Sequence, residues 1–229
     1  MSDTFPRQHA RTQRLTLGEP RNFTVSPDGA RIVFARSATG SDPVNMLWVL
    51  DVESGTERTV LDPRNIPADL AALTDEEKRR RERAREGAGG VVSYSCDADA
   101  TKAVTILGGQ LFVVDLLTDA VSTPAVAPGV FDARLSPDGT RIAYVRGASL
   151  CVCDLAGNER VIAHEDSANV SWGSADFIAA EEMGRQRGYW WSPDGTRIAA
   201  CRVDESPVDV WHIADPAHPE RPAVEHRYP

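Results

Sequence analysis

The sequence predicts an all-β protein, a β-propeller of about four blades with a short charged helical insertion. The tetrapeptide Ser-Pro-Asp-Gly occurs three times, beginning at residues 26, 136 and 192, and each copy is followed by Arg-Ile and a short apolar run. Pro, Asp and Gly in this order favour a tight turn between antiparallel strands, so each copy predicts a hairpin. After each of the first two copies, two further segments follow in which apolar and polar residues alternate. Four strands in succession are typical of a propeller blade.

The spacing of the repeats supports this architecture. A fourth, degenerate hairpin is predicted around residues 93–99, where Asp97 begins a turn without Pro or Gly. Asp97 lies 39 residues before Ser136, close to the ~40–45 residues of known propeller repeats. Ser26 lies 71 residues before Asp97, so about 30 residues are inserted between the first two units.

The insertion is assigned to residues 62–90, which show no strand pattern. Thr74 and Glu77 form a capping box, and we expect a helix from there to about Glu86. This segment has almost no apolar face and nearly balanced charge, with six basic and five acidic side chains from Asp75 onward. Three interpretations are open: a solvated, salt-bridged helix, a helix that directs an Arg into a binding cavity, or a nucleic-acid contact.

Composition and charge narrow the function classes. The net charge of −9 argues against nucleic acid or an anionic membrane as the main partner and suits a cationic ligand. No apolar window reaches the ~18 residues of a membrane span, and the N-terminus lacks a secretory signal, so we expect a cytoplasmic protein. No cofactor or metal site is expected, because no metal-binding spacing connects the four cysteines, Cys96, Cys151, Cys153 and Cys201.

Glu181 and Glu182 are the candidate binding residues. Adjacent carboxylates repel each other, so both stay ionised only if they face solvent or hold a cation such as an ammonium group. The alternative is that they form the solvated turn of a short surface helix. The aromatic residues that follow, Trp190 and Trp191, are expected to pack between blades rather than to contact a ligand.

The sequence resembles the dipeptidyl peptidase IV group of the prolyl oligopeptidase superfamily. Three motifs carry the resemblance: Asp-Phe-Ile-Ala-Ala-Glu-Glu-Met at 176–183, Arg-Gly-Tyr-Trp-Trp-Ser-Pro-Asp-Gly at 187–195, and Arg-Val-Asp-Glu-Ser-Pro-Val at 202–208. The inserted Arg-Glu-Arg-Ala-Arg at 81–85 is similar to the arginine-bearing segment of bacterial members and of the dipeptidyl peptidase 8 and 9 branch.

This resemblance implies a fold and a role. In the family an eight-bladed propeller caps an α/β-hydrolase domain, and its double Glu grips the free N-terminal ammonium of a peptide. The resemblance implies that Glu181 and Glu182 bind this ammonium group in a peptide substrate. It also implies that the enzyme removes N-terminal dipeptides with Pro or Ala as the second residue. An Arg of the insertion would hold a substrate carbonyl, with Arg85 favoured and Arg83 next.

The sequence departs from the family in its catalytic part. No Gly-x-Ser-x-Gly elbow is present, so we expect no catalytic residue in residues 1–229 and read them as an N-terminal propeller segment without its α/β-hydrolase domain. A non-enzymatic propeller that serves as a protein-interaction scaffold is the alternative. An unclosed propeller also exposes strand edges, so we expect association, including a possible homo-oligomer.

Overall fold

The computed structural model describes residues 4–66 and 87–227, and within them antiparallel sheets dominate. Three sheets are meanders, in which strands that follow each other in the chain are hydrogen-bonded neighbours. Their strands are β1 (Arg21–Val25), β2 (Arg31–Ser37), β3 (Val44–Asp51) and β4 (Thr56–Leu61); β6 (Tyr94–Cys96), β7 (Lys102–Leu107), β8 (Gln110–Asp115) and β9 (Val121–Ser122); β10 (Val130–Leu135), β11 (Arg141–Arg146), β12 (Ser149–Asp154) and β13 (Glu159–Ala163). The all-β prediction is confirmed.

The remaining elements are short. Strand β5 (Gly89–Gly90) pairs in parallel with β3, which the sequence did not predict. The last part of the chain forms three two-stranded pairings: β14 (Val170–Trp172) with β17 (Arg202–Asp204), β15 (Tyr189–Trp191) with β16 (Ile198–Ala200), and β18 (Val210–Ile213) with β19 (Val224–Arg227). Helix α1 (Phe5–Arg11) precedes the first sheet, and a 3-10 turn (Pro63–Asn65) follows β4. Helix α2 (Phe177–Glu181) follows β14.

Each Ser-Pro-Asp-Gly copy closes a hairpin by the same hydrogen bonds. At the first copy, the Ser26 hydroxyl donates to Asp28 Oδ1 at 2.5 Å and accepts from the Arg31 amide at 2.9 Å. Gly29 takes the left-handed conformation that the turn requires, with φ +71°. The copies at residues 136 and 192 repeat the first bond at 2.5 Å and the second at 3.0 and 2.9 Å.

The degenerate hairpin keeps this geometry with other residues. Asp97 replaces the serine, and its Oδ1 accepts from the amides of Thr101 and Lys102 at 2.7 and 2.9 Å. Ala100 stands where the glycine would be and adopts a φ of +49°. A carboxylate therefore substitutes for the Ser hydroxyl as the acceptor that closes the turn.

The second and third sheets bury both of their faces against neighbouring parts of the protein. Ala103 packs with the first sheet, while the next residue, Val104, packs with the third. In the same way Tyr144 faces the second sheet and Val145 faces the last part of the chain. Because successive strand residues point to opposite faces, this double burial explains why the central strands are almost continuously apolar.

Two tyrosines each connect one sheet to the sheet before it. The hydroxyl of Tyr189, which is fully buried, donates toward the carbonyls of Ala143, at 2.7 Å, and Asp132. Asp132 sits in a β-bulge of β10 with φ +47°, so the bulge turns its carbonyl toward the next sheet. Tyr94 repeats the contact with Val33 O at 2.8 Å.

The predicted helical insertion cannot be compared in full with the structure. Residues 67–86 of the predicted 62–90 segment lie outside the described residues, together with both candidate arginines, Arg83 and Arg85. Of the described remainder, residues 63–65 form the 3-10 turn and residues 89–90 form β5.

Candidate functional site

The double Glu lies on a segment that interrupts a strand. Strands β14 and β15 pair with two successive strands, β17 and β16, which only Cys201 separates. β14 and β15 would therefore form one continuous strand if residues 173–188 did not lie between them. We call residues 173–188 the excursion.

Both ends of the excursion are fixed on Cys201. The Gly173 amide donates to the Cys201 carbonyl at 3.0 Å, and the Cys201 amide donates to the Gly188 carbonyl at 2.7 Å. The two ends also touch each other, because a Cβ on Gly188 would lie 2.3 Å from the carbonyl oxygen of Ser174. Only glycine permits this approach, so the excursion leaves and re-enters the sheet at one point.

Helix α2 shapes the first half of the excursion. Asp176 is its N-cap and accepts from the Ala179 amide at 2.8 Å. Ala179 and Ala180 are buried against the body of the protein, while Ile178 is exposed. The apolar pattern of residues 170–178 resembles one strand, but the strand ends at Trp172 and the Asp176 cap starts a helix.

Arg185 braces the excursion from inside. Its Nη2 pairs with Asp176 Oδ2 at 3.1 Å, and its Nη1 donates to the Arg187 carbonyl at 2.8 Å. The Arg185 amide donates to the Ala179 carbonyl at 2.9 Å. Between helix and brace, Gly184 reverses the chain with φ +62°, as is usual just after a helix. One guanidinium thus joins both halves of the excursion.

Glu181 is the last residue of α2, and Glu182 is its C-cap. Both residues are exposed. A helix C-terminus carries partial negative charge, which disfavours carboxylates there, and two adjacent carboxylates also repel each other. The site therefore concentrates negative charge that a bound cation would stabilise. The placement at a short helix end fits both interpretations drawn from the sequence, the ammonium anchor and the solvated turn.

The aromatic residues after the excursion divide into two environments. Trp191 packs against the core between the third sheet and β16, and its indole N–H donates to the Arg134 carbonyl at 3.2 Å. Trp190 instead lies beneath two cations, with Arg187 Cζ 5.2 Å and Arg185 Cζ 6.0 Å from its ring centroid. The predicted packing role describes Trp191, whereas Trp190 stacks with residues of the excursion.

A serine, a histidine and an aspartate meet elsewhere on the surface. Ser149 Oγ lies 2.9 Å from His164 Nδ1, and His164 Nε2 lies 3.1 Å from Asp166 Oδ1. The Asp166 side chain is fully exposed to solvent, whereas a catalytic aspartate is buried so that it orients the imidazole. We therefore assign this group no catalytic role.

Metal-binding clusters and membrane-spanning helices are both absent from the described part of the chain. In residues 4–66 and 87–227, no cluster of three His, Cys, Asp or Glu side chains is arranged to hold a metal ion. No helix in those two ranges has the length and apolar character that crossing a membrane requires.

Comparison with known proteins identifies the family. The family described as "Dipeptidyl peptidase IV (DPP IV) N-terminal region" matches residues 105–229, more than half of the chain. The chain belongs to this family. The match contains the excursion and the double Glu, and the resemblance drawn from the sequence motifs is confirmed.

Relatives of this N-terminal region are dipeptidyl peptidases. Human dipeptidyl peptidase 8 is 25% identical over 248 residues, which cover 91% of this chain and 27% of the relative. The mouse protein of the same name is 25% identical over 246 residues, covering 90% of this chain and 27% of that protein. The chain thus spans about a quarter of the length of these relatives.

A solved structure shows the same fold. The crystal structure of Porphyromonas gingivalis dipeptidyl peptidase 4 superposes with a TM-score of 0.65 at 18% sequence identity. The superposition covers 91% of this chain and 29% of that one. At this identity the likeness concerns the fold, and it agrees with the antiparallel sheets described above.

Proposed function

We propose that this chain is the substrate-recognition segment of a serine dipeptidyl peptidase, with Glu181 and Glu182 binding the α-ammonium of a peptide. The observation that supports the proposal most strongly is the fixing of the double Glu. The excursion is tied to Cys201 at both ends and braced by Arg185, so the carboxylates have a set position relative to the sheets. A fixed anchor is what a peptide-positioning site needs.

The chemistry of the anchor follows from its charge. An ammonium group between two carboxylates forms charge-assisted hydrogen bonds, which are stronger than neutral ones. Anchoring the amine sets the distance from the N-terminus to the bond that is cut. Removal of N-terminal dipeptides, with Pro or Ala second, is therefore the proposed reaction of the complete enzyme, in which this chain supplies no catalytic residue.

The complete enzyme would contain components beyond this chain. We propose that the sheets are about four blades of an eight-bladed propeller, that an α/β-hydrolase domain supplies the nucleophile, and that the enzyme works in the cytoplasm. Arg85, or Arg83 as the second choice, would hold a substrate carbonyl. No cofactor or metal is required, because the proposed chemistry uses only the amine anchor and a serine nucleophile.

Cleavage kinetics test the proposal. In the complete protein, Glu181→Gln and Glu182→Gln should each reduce kcat/KM for Ala-Pro-p-nitroanilide by roughly 30-fold, because each removes one charge-assisted bond of about 2 kcal/mol. Glu53→Gln, which changes an exposed Glu outside the excursion, is the matched control and should leave the kinetics unchanged. Unchanged kinetics in both excursion variants would refute the assignment.

A protein-interaction scaffold is the second candidate. It is favoured by the hairpin of β18 and β19, on which Trp211, Ile213 and Val224 are 61%, 48% and 59% exposed. Exposed apolar residues of this kind mark association surfaces. The scaffold candidate predicts a homo-oligomer in light scattering and no loss of function in the Glu181 and Glu182 variants.

A further inference from the structure

A cleft separates the first strands of three consecutive units. It has a volume of about 220 Å³ and lies where β6, β10 and β15 approach each other. Its walls include Cys96, Leu135 and Trp191 at the ends of those strands. Two arginines also line it, Arg134 from β10 and Arg187 from the end of the excursion.

The two guanidinium groups lie close enough to repel each other. Both side chains are partly buried, and burial together with the Arg134 charge lowers the pKa of Arg187. Two like charges in a partly desolvated cleft are unfavourable unless an anion lies between them. This is the inverse of the situation at the double Glu, where two carboxylates favour a cation.

Each arginine keeps unused hydrogen-bond donors. Arg187 directs Nε and Nη2 to the Tyr189 carbonyl at 3.1 and 3.0 Å, and within residues 4–66 and 87–227 its Nη1 has no acceptor. Arg134 pairs through Nη2 with Asp132 Oδ1 at 2.7 Å. The Nε of Arg134 is buried and has no hydrogen-bond partner in the same ranges. A buried donor such as this Nε costs free energy while it lacks an acceptor.

The acidic residues near the cleft are already engaged. Asp97 lines it, but its Oδ1 accepts from the backbone amides of Thr101 and Lys102 and so closes its own turn. Asp132 neutralises one of the two arginines. The Asp132 charge also acts on Arg187, so what the cleft keeps for a ligand is the Arg187 Nη1 donor beside an apolar wall formed by Trp191.

We propose that this cleft is a carboxylate-binding site formed by Arg187 and Arg134. A carboxylate is planar and accepts from two donors at once, which matches the fork of a guanidinium group. That the carboxylate is carried by a peptide, as an acidic side chain, rests on the proposed function. The anion site itself does not depend on the double Glu.

Nuclear magnetic resonance titration of the chain tests the site directly. The indole N–H of Trp191, which donates to the Arg134 carbonyl, is the reporter signal. The probe is N-acetyl-aspartate amide, the neutral isostere is N-acetyl-asparagine amide, and sodium sulfate represents inorganic anions. The aspartate probe should shift the Trp191 signal with millimolar affinity, and the asparagine isostere should not.

Variants assign the effect to the two arginines. R187Q should weaken the aspartate probe at least fivefold, and R187K, which keeps the charge without the fork, at least twofold. R197Q changes an exposed arginine on the neighbouring turn and should leave binding unchanged. E182Q should also leave it unchanged, so failure of the amine anchor and failure of this site are separate results.

Three outcomes would overturn the proposal. The first is an equal response to the asparagine isostere, and the second is unaltered binding in folded R187Q and R187K. The third is sulfate binding at a tenfold lower concentration than the aspartate probe, which would make the cleft an inorganic anion site.

Discussion

Replacement of Gly188 by Ala should open the excursion. The new Cβ would lie 2.3 Å from Ser174 O and 2.5 Å from Gly173 C, so the two ends of the excursion must separate by about 1 Å. Overpacking of this kind costs about 1–3 kcal/mol. The separation also strains the two backbone bonds to Cys201, each contributing about 1 kcal/mol. We therefore expect a loss of about 3 kcal/mol.

Hydrogen exchange measures this loss of stability at the amides that close the excursion. The amides of Gly173 and Cys201 donate the two bonds that close the excursion, and 3 kcal/mol corresponds to roughly 100-fold faster exchange if they open together. If the damage spreads to the whole fold, the melting temperature should fall by about 6–12 °C for a chain of this size.

The matched control is Gly40→Ala. A Cβ on Gly40 would meet nothing closer than Leu17 O at 3.6 Å, and its φ is not in the left-handed region. This substitution should change the free energy of unfolding by less than about 0.5 kcal/mol. If Gly188→Ala kept both amides protected and melted within 1 °C of the control, the account of how the excursion is closed would be wrong.

Two further predictions concern the sheets. Tyr189→Phe should lower the free energy of unfolding by about 2 kcal/mol, because the buried hydrogen bond from the hydroxyl to the Ala143 carbonyl is lost and that acceptor loses a partner. An unchanged denaturation midpoint would show that this hydrogen bond does not stabilise the contact between the sheets. Glu159→Gln should destabilise the protein mainly above pH 4.5, because hydrogen bonds from Arg146 lower the pKa of Glu159 below 4.5 in the folded state. A group with a depressed folded pKa stabilises above its unfolded pKa and loses this effect as pH falls through the folded value. The gap between the melting temperatures of the two proteins should therefore shrink on acidification, and a constant gap would refute the linkage.

The repeated hairpins could be predicted from sequence because their cause is local. Within four residues, Ser26 supplies a hydroxyl that both donates and accepts, Asp28 supplies the carboxylate acceptor, and Gly29 supplies the positive φ. The degenerate hairpin around Asp97 was predictable from its pattern, and its spacing from Ser136 supports it. Its turn geometry was not predictable, because Ala100 occupies a left-handed position where alanine is rare.

The excursion was only partly predictable. The sequence motifs locate the double Glu, but they do not show that it lies between two halves of an interrupted strand. The contacts that close the excursion, Gly173 and Gly188 with Cys201, join residues far apart in the sequence and leave no local pattern. The cleft formed by Arg134 and Arg187 was also not predictable from the sequence, because its walls come from three separate units.

Binding of a free amine is the most direct test of the central claim, that Glu181 and Glu182 hold a peptide ammonium. Titration calorimetry of the chain should compare Ala-Pro-amide with acetyl-Ala-Pro-amide, which lacks the ammonium. We predict that the free amine binds at least roughly 30-fold more tightly, corresponding to about 2 kcal/mol, and that the double variant E181Q/E182Q removes this preference. Equal affinity for the two ligands, or a preference that survives in the double variant, would contradict the account.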